Sequence, residues 1–264
     1  VVIGVIGVGR LGLALVKGLV GGGIDPKDIN VYDISDEALK RVEPLGVSLR
    51  RSIKDLVDAS EIIIVSVKPL DALDVVKAVA PILSKDKILV SVAAFIPLQA
   101  IESNVKDKRV YRAMPNIAVE VNKGFTALTP PEKRCTEVEN LFKVLGEVVW
   151  VKEDLLDLMT LISASTPAIV AELIDAFILV TLKAGVPYDL ARRAAASVFQ
   201  GIGKLAELKD VSAIRDSIIT PRGSTIILVE KLYTYEVKGR LIKALSDAVE
   251  EYLEKLEKFR KEFS

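Results

Sequence analysis

Over the first 130 residues, short apolar runs alternate with stretches of helical spacing, and past Trp150 the runs largely stop. No other feature narrows the fold so far. Residues 1–6 form a continuous apolar run, as a parallel strand covered on both faces requires. Helical spacing follows from Arg10 to about Val20 and ends at Gly21, Gly22 and Gly23, a flexible cap and turn. Residues 29–32, 62–67, 88–93, 110–114 and 125–129 continue the strand series, with a helix over 36–42. Such alternation predicts an α/β fold, a doubly wound (Rossmann-type) and mostly parallel sheet with right-handed crossovers.

After Trp150 the pattern is helical. Helices are expected over 155–162, 167–184, 189–207, 225–232 and from about 236 to Phe263. In the last, Leu241, Leu245, Val249, Tyr252, Leu256 and Phe259 recur at steps of three or four. Pro167 suits the first turn of a helix, where its missing N–H costs nothing. The chain therefore divides into residues 1–152 and an all-helical domain over 153–264. Residues 167–184 are apolar nearly all round and must be buried. A homodimer interface is the preferred cover, and a central position in the monomer core is the alternative.

Lys plus Arg and Asp plus Glu both number 36, so nothing in the charge points to nucleic acid or an anionic membrane as partner. No apolar run is expected to reach the length of a membrane span. The single cysteine, Cys135, and the lack of a signal-peptide pattern suit a reducing cytoplasm. The chain has no histidine, which excludes Ser-His-Asp and Cys-His mechanisms, histidine acid–base dehydrogenases and His-ligated zinc, and no metal is expected. With only five Asn and two Gln beside abundant Lys and Glu, the composition hints at a thermophile.

Gly7-Val8-Gly9-Arg10-Leu11-Gly12 is G-x-G-x-x-G between an expected strand and an expected helix, the context of a dinucleotide-binding turn. Gly7 permits the tight turn, Gly9 lets a pyrophosphate approach the backbone and Gly12 allows close helix–strand packing. The helix start then offers N–H groups and a positive dipole end. Asp33 ends the second strand, 21 residues past Gly12, where a carboxylate accepts from the adenosine ribose. It would repel a 2′-phosphate, so NAD(H) is favoured, with NADP(H) kept open by Arg41, Arg50 and Arg51; Asp33 could instead cap the next helix. Lys68, at the end of Val65-Ser66-Val67-Lys68-Pro69, either faces the cofactor or is solvated.

Read in order, several segments carry a resemblance. They are the glycine turn, Val67-Lys68-Pro69, Ser91-Val92-Ala93-Ala94, Arg112-Ala113-Met114-Pro115-Asn116, Ser163-Ala164-Ser165-Thr166-Pro167-Ala168 and Pro221-Arg222-Gly223-Ser224-Thr225. Together they resemble pyrroline-5-carboxylate reductase over essentially the whole chain. The resemblance implies a dinucleotide-binding domain joined to a helical substrate and dimerisation domain, and a homodimer that can assemble into larger rings. It implies NAD(P)H-dependent reduction of a small cyclic imino acid, 1-pyrroline-5-carboxylate, to L-proline. Carried over, residues Gly7 to Gly12 hold the pyrophosphate, Asp33 meets the ribose, and Val67, Lys68, Pro69, Ala93 and Asn116 line the cofactor. Thr220, Pro221, Arg222, Gly223, Ser224 and Ser165 bind substrate, and Thr225 is the catalytic residue, bonded to the ring nitrogen. By themselves Ser224 and Thr225 also read as an ordinary helix cap.

A protonated imine already carries the charge that makes its carbon electrophilic, so a chain without histidine suffices if geometry and water exclusion are supplied. The sequence departs from the family at Phe95 and Arg222, where glycine or another small residue is usual, and at Ile219 and Leu228. Two alternatives stay open: an oxidoreductase like the β-hydroxyacid dehydrogenases, with Lys183 as donor, or a catalytically silent nucleotide-binding scaffold.

Overall fold

The computed structural model describes residues 1–262. The chain forms two compact units, Val1–Pro167 together with the C-terminal turns from Lys255 onward, and Ala168–Glu254.

The first unit is an eight-stranded sheet. In chain order its elements are β1 (Ile3–Ile6), α1 (Arg10–Gly21), β2 (Ile29–Tyr32), α2 (Asp36–Val42), β3 (Ser48–Leu49), α3 (Ile53–Asp58) and β4 (Ile62–Val65). Then come α4 (Pro69–Val79), β5 (Ile88–Ser91), α5 (Leu98–Asn104), β6 (Arg109–Pro115), β7 (Gly124–Thr129), α6 (Thr136–Lys143) and β8 (Gly146–Trp150). The strand order is β3-β2-β1-β4-β5-β6-β7-β8; β1 to β6 run parallel, and β7 and β8, parallel to each other, run the opposite way, β7 pairing antiparallel with β6. The expected doubly wound sheet is thus observed, with its switch point between β1 and β4, where the crevice at the carboxyl ends opens. β1, β4 and β5 are buried at every residue, which is why they read as unbroken apolar runs. One core includes Leu15, Leu19 and Phe142, the other Leu56, Val76 and Ile101. Each such fully buried side chain contributes about 2 kcal/mol.

The sequence pattern does not show β3 and β8. β3 has two residues, too short for any period, and β8 is only half-buried, so its apolar content is diluted. β4 and β5 stop at Val65 and Ser91, two residues before the expected ends, and the residues beyond them form loops.

Past β8, α7 (Glu153–Met159) runs through a π-helical turn, Thr160–Ser165, into α8 (Thr166–Lys183). Two expectations are corrected here. Pro167 does not begin a helix: it lies one residue inside α8, and the widened turn before it removes the carbonyl clash that interrupts a regular helix. The continuous helix Glu153–Lys183, at 31 residues, is long and apolar enough to cross a membrane by length and composition, where no such run was expected.

In the second unit α8 is followed by α9 (Tyr188–Ala206), α10 (Val211–Ile218), α11 (Ser224–Thr234) and α12 (Val237–Glu262), whose last turns belong to the first unit. α10 escapes the sequence pattern, as it is eight residues and mostly exposed. The expected end of the last helix at Phe263 lies outside the described residues. Ile178, Ala191 and Ala195 form the buried cluster between α8 and α9, and Phe177 meets Phe199 edge to face with centroids 5.4 Å apart. α8 buries only Ile178, so it is not a central core helix of this unit.

Candidate active site

The glycine turn joins β1 to α1 at the switch point. Gly7 has φ 91°, and a Cβ there would stand 2.6 Å from the Ser66 carbonyl oxygen. A Cβ on Gly12 would stand 2.1 Å from the Gly7 carbonyl oxygen, so only glycine lets α1 start this close to the strand. Gly9 differs: a Cβ there would meet nothing within 4 Å. The fold leaves that space open, and a phosphate approaching the backbone is what would need it. Gly9 is also the N-cap of α1 and has no side chain to cap it, so the first-turn N–H groups stay available to an anion. The turn fits a pyrophosphate.

Asp33 is fastened to this turn. Its Oδ2 accepts the Val8 N–H at 2.7 Å and its Oδ1 accepts the Ser35 N–H at 2.9 Å. It does not cap α2; Ser35 does, accepting from the Ala38 N–H. Each carboxylate oxygen keeps a lone pair for a ribose hydroxyl. Of the three nearby arginines, Arg50 is engaged: its Nε donates to Asn30 Oδ1 at 2.8 Å, and its guanidinium lies 3.7 Å from Asp55.

Along the same sheet edge, Val67 follows β4, Lys68 is exposed at the N-cap of α4 and Pro69 begins that helix. Ala93 is buried just past β5, its N–H donating to Ser91 Oγ at 3.3 Å. Asn116, just past β6, accepts from the Ala118 and Phe125 N–H groups and donates from Nδ2 to Ser163 Oγ at 3.4 Å. The loops after β1, β2, β4, β5 and β6 are thereby brought to one edge. Ser165 is exposed in the π turn and donates to the Thr160 carbonyl at 3.1 Å.

Sequence reasoning missed a charged network beneath this edge. Arg112 is 1% exposed and donates to Glu153 at 2.5 Å and to Asp157 at 2.8 Å. Arg260 closes the other side of Asp157 at 2.9 Å and reaches Asp154 at 2.8 Å. The signal was legible in principle: an arginine inside an otherwise apolar strand demands buried carboxylates.

In the helical unit the turn 220–223 is closed by the Gly223 N–H donating to the Thr220 carbonyl at 3.0 Å. Pro221 occupies the second position and Arg222, φ 62°, the third, where left-handed backbone favours glycine. Phe95 likewise has φ 68°. These two of the four departures thus fall on left-handed backbone, at a cost of about 1–2 kcal/mol each. A Cβ on Gly223 would lie 2.4 Å from Thr220 Oγ1. Gly223 is the N-cap of α11, with no side-chain cap, so Ser224 and Thr225 are not the cap they resembled. The α11 N–H groups and the half-buried Thr225 are presented together, as a carboxylate and a ring nitrogen side by side would require.

Comparison with known proteins follows the same division. Residues 153–255 match the family described as pyrroline-5-carboxylate reductase dimerisation, and residues 2–95 match NADP oxidoreductase coenzyme F420-dependent. The chain is 30% identical to pyrroline-5-carboxylate reductase of Pisum sativum, covering 92% of each. It is also 30% identical to the Escherichia coli (strain K12) enzyme, covering 97% of this chain and 98% of that one. The fold matches the crystal structure of Plasmodium falciparum pyrroline carboxylate reductase with NADP bound, with TM-score 0.82 and 24% identity over 96% of this chain and 97% of that one.

Proposed function

This chain belongs to the pyrroline-5-carboxylate reductase family, and from that premise we propose that it reduces 1-pyrroline-5-carboxylate to L-proline. The observation that carries the reading is the uncapped start of α11 beside Thr225, in a chain whose other unit presents an open glycine turn. The backbone N–H groups of Ser224 and Thr225 take the substrate carboxylate, and the exposed Arg222 can pair with it in bidentate fashion. Thr225 Oγ1 accepts the N–H of the protonated imine, fixes the ring and holds the nitrogen proton in place. Thr220, Pro221, Ser224 and Ser165 complete the substrate contacts.

Gly7 to Gly12 and the α1 N–H groups hold the pyrophosphate, Asp33 holds the ribose, and Val67, Lys68, Pro69, Ala93 and Asn116 line the nicotinamide side. When bound, the reduced nicotinamide supplies the hydride for the imine carbon. The protein contributes near-attack geometry and exclusion of water, and needs no histidine.

A pyridine nucleotide is the cofactor, and NADH is the preferred form. The Asp33 carboxylate, held 2.7 Å from the Val8 nitrogen, and the engagement of Arg50 by Asn30 and Asp55 support that preference. A second copy of the chain is the partner that covers α8, and dimers can build larger rings. A cytoplasmic setting goes with the buried, unpaired Cys135, and a thermophilic source with the paucity of Asn and Gln.

The test is oxidation of NADH and NADPH with 1-pyrroline-5-carboxylate. Turnover with NADH preferred is expected; a preference for NADPH discards the Asp33 argument, and no oxidation with either discards the reductase reading. Thr225→Ala is expected to lower kcat about a hundredfold in protein that stays folded. A loss under about threefold would remove Thr225 from catalysis.

A further inference from the structure

Phe95 lies in the loop between β5 and α5, beyond the cofactor-lining Ala93. Its φ of 68° is a backbone that an aromatic residue adopts only under constraint. The constraint is in place: its ring stacks on Phe259, with centroids 4.9 Å apart and planes 20° from parallel. Phe259 belongs to the last turns of α12, where Leu256, Phe259 and Arg260 share one face at helical spacing and Leu256 is buried.

The same turns hold the loop a second way. Arg260 donates to Asp157, and Asp157 also accepts from Arg112. Arg112 in turn donates to Glu153, whose Oε1 also accepts the Leu98 N–H at 2.6 Å, the first N–H of α5. Pro97, the N-cap residue there, has no side-chain group to do this, so Glu153 supplies the cap. The loop 93–98 is therefore gripped at Phe95 by a ring and at Leu98 by a carboxylate, the latter through Asp157.

We propose that the C-terminal turns of α12 act as a clasp that pre-orders the 93–98 loop for the dinucleotide, with Phe259 as a positioning residue. The inference rests on the proposed binding of a dinucleotide along this sheet edge. A loop held in its binding conformation spares the ligand the cost of ordering it, which changes affinity and leaves the chemical step alone.

The experiment uses the full chain and two readouts. In the protein without dinucleotide, Phe259→Ala is expected to speed amide exchange at Phe95, Ile96 and Leu98 while β1 and β4 stay protected. In titrations with NADH and NADPH it is expected to raise Kd about five- to tenfold, with kcat at saturating dinucleotide changed less than about twofold. Phe259→Tyr, which keeps the ring, is expected to restore both. If Phe259→Ala does not fold, Phe259→Leu keeps the bulk without the ring face and carries the test. In a Phe95→Gly background, where the left-handed backbone needs no constraint, Phe259→Ala is expected to add nothing.

Unchanged exchange and unchanged Kd in Phe259→Ala overturn the proposal, as does an equal loss in the Phe95→Gly background. A native protein that binds neither dinucleotide overturns the cofactor reading and the purpose of the clasp with it. The exchange data without ligand still report whether the loop is held, so the two failures are distinguishable.

Discussion

The sheet unit and the helical unit solve the burial problem differently. In the first, helices cover both faces of the sheet, and Leu15, Phe142, Leu56 and Val76 all lie in closed cores. In the second, Phe177, Leu179 and Val180 of α8 are 51%, 57% and 62% exposed, and Ile227, Leu228 and Leu232 of α11 are exposed too. One unit contains its own core; the other presents half of one. A surface so rich in large apolar side chains marks an interface, and the dimerisation family matched by residues 153–255 says what kind. Self-association is thus part of how the helical unit is built.

The largest effect should come from placing charge on that half-core. Leu179→Glu with Val180→Glu would be nearly neutral on a solvated surface. Buried against a second copy, both carboxylates are desolvated. Sedimentation equilibrium is expected to show loss of self-association, and Tm a fall of about 10 °C or more. A variant that still self-associates with unchanged Tm would place the interface elsewhere.

Within the sheet unit, two glycines sharpen the contrast between residues kept for packing and residues kept for a ligand. Gly12→Ala forces a Cβ to 2.1 Å from the Gly7 carbonyl oxygen, and is expected to cost about 1–3 kcal/mol of stability in denaturant titration. Gly9→Ala meets nothing within 4 Å, so stability should stay within about 0.5 kcal/mol while NADH binding weakens about tenfold or more. Equal NADH affinity in Gly9→Ala would remove the pyrophosphate from this turn.

The smallest effect lies at the opposite edge of the sheet. There the Arg109 guanidinium, donating to Glu137 at 2.8 Å, holds its carboxyl down at about 2 from the usual 4.5. The folded pKa is depressed, so the stabilisation is complete above about 4.5 and is lost as pH falls through about 2. Both side chains are partly exposed, so solvent screens the pair and it contributes at most about 1 kcal/mol. The Tm difference between native protein and Glu137→Gln should therefore be small at pH 7 and close between pH 4.5 and 2. A difference that widens on acidification would reverse the assignment.

Much of this architecture is legible in the residues themselves. The apolar runs of β1, β4 and β5, the glycine turn and Asp33 all emerge from local rules of period and steric freedom. β8 does not, because an edge strand that is half-buried loses the pattern. The continuity of the helix through Pro167 does not either, because it depends on the π turn ahead of that residue. At the site, Arg112 stands within a recognisable motif, but its partners Glu153 and Asp157 have no local signature.

By itself, then, the sequence determined the alternation of buried strands and helices, the glycine geometry at the first turn and the presence of an apolar helix that needs cover. Each of these follows from neighbours a few residues apart. Only the tertiary structure decided that Asp33 grips the Val8 N–H across 25 residues of chain, that Asp157 meets Arg112 across 45, and that Phe95 on left-handed backbone finds Phe259. Those pairings depend on which loops the sheet order brings to one edge, and no local period encodes that order.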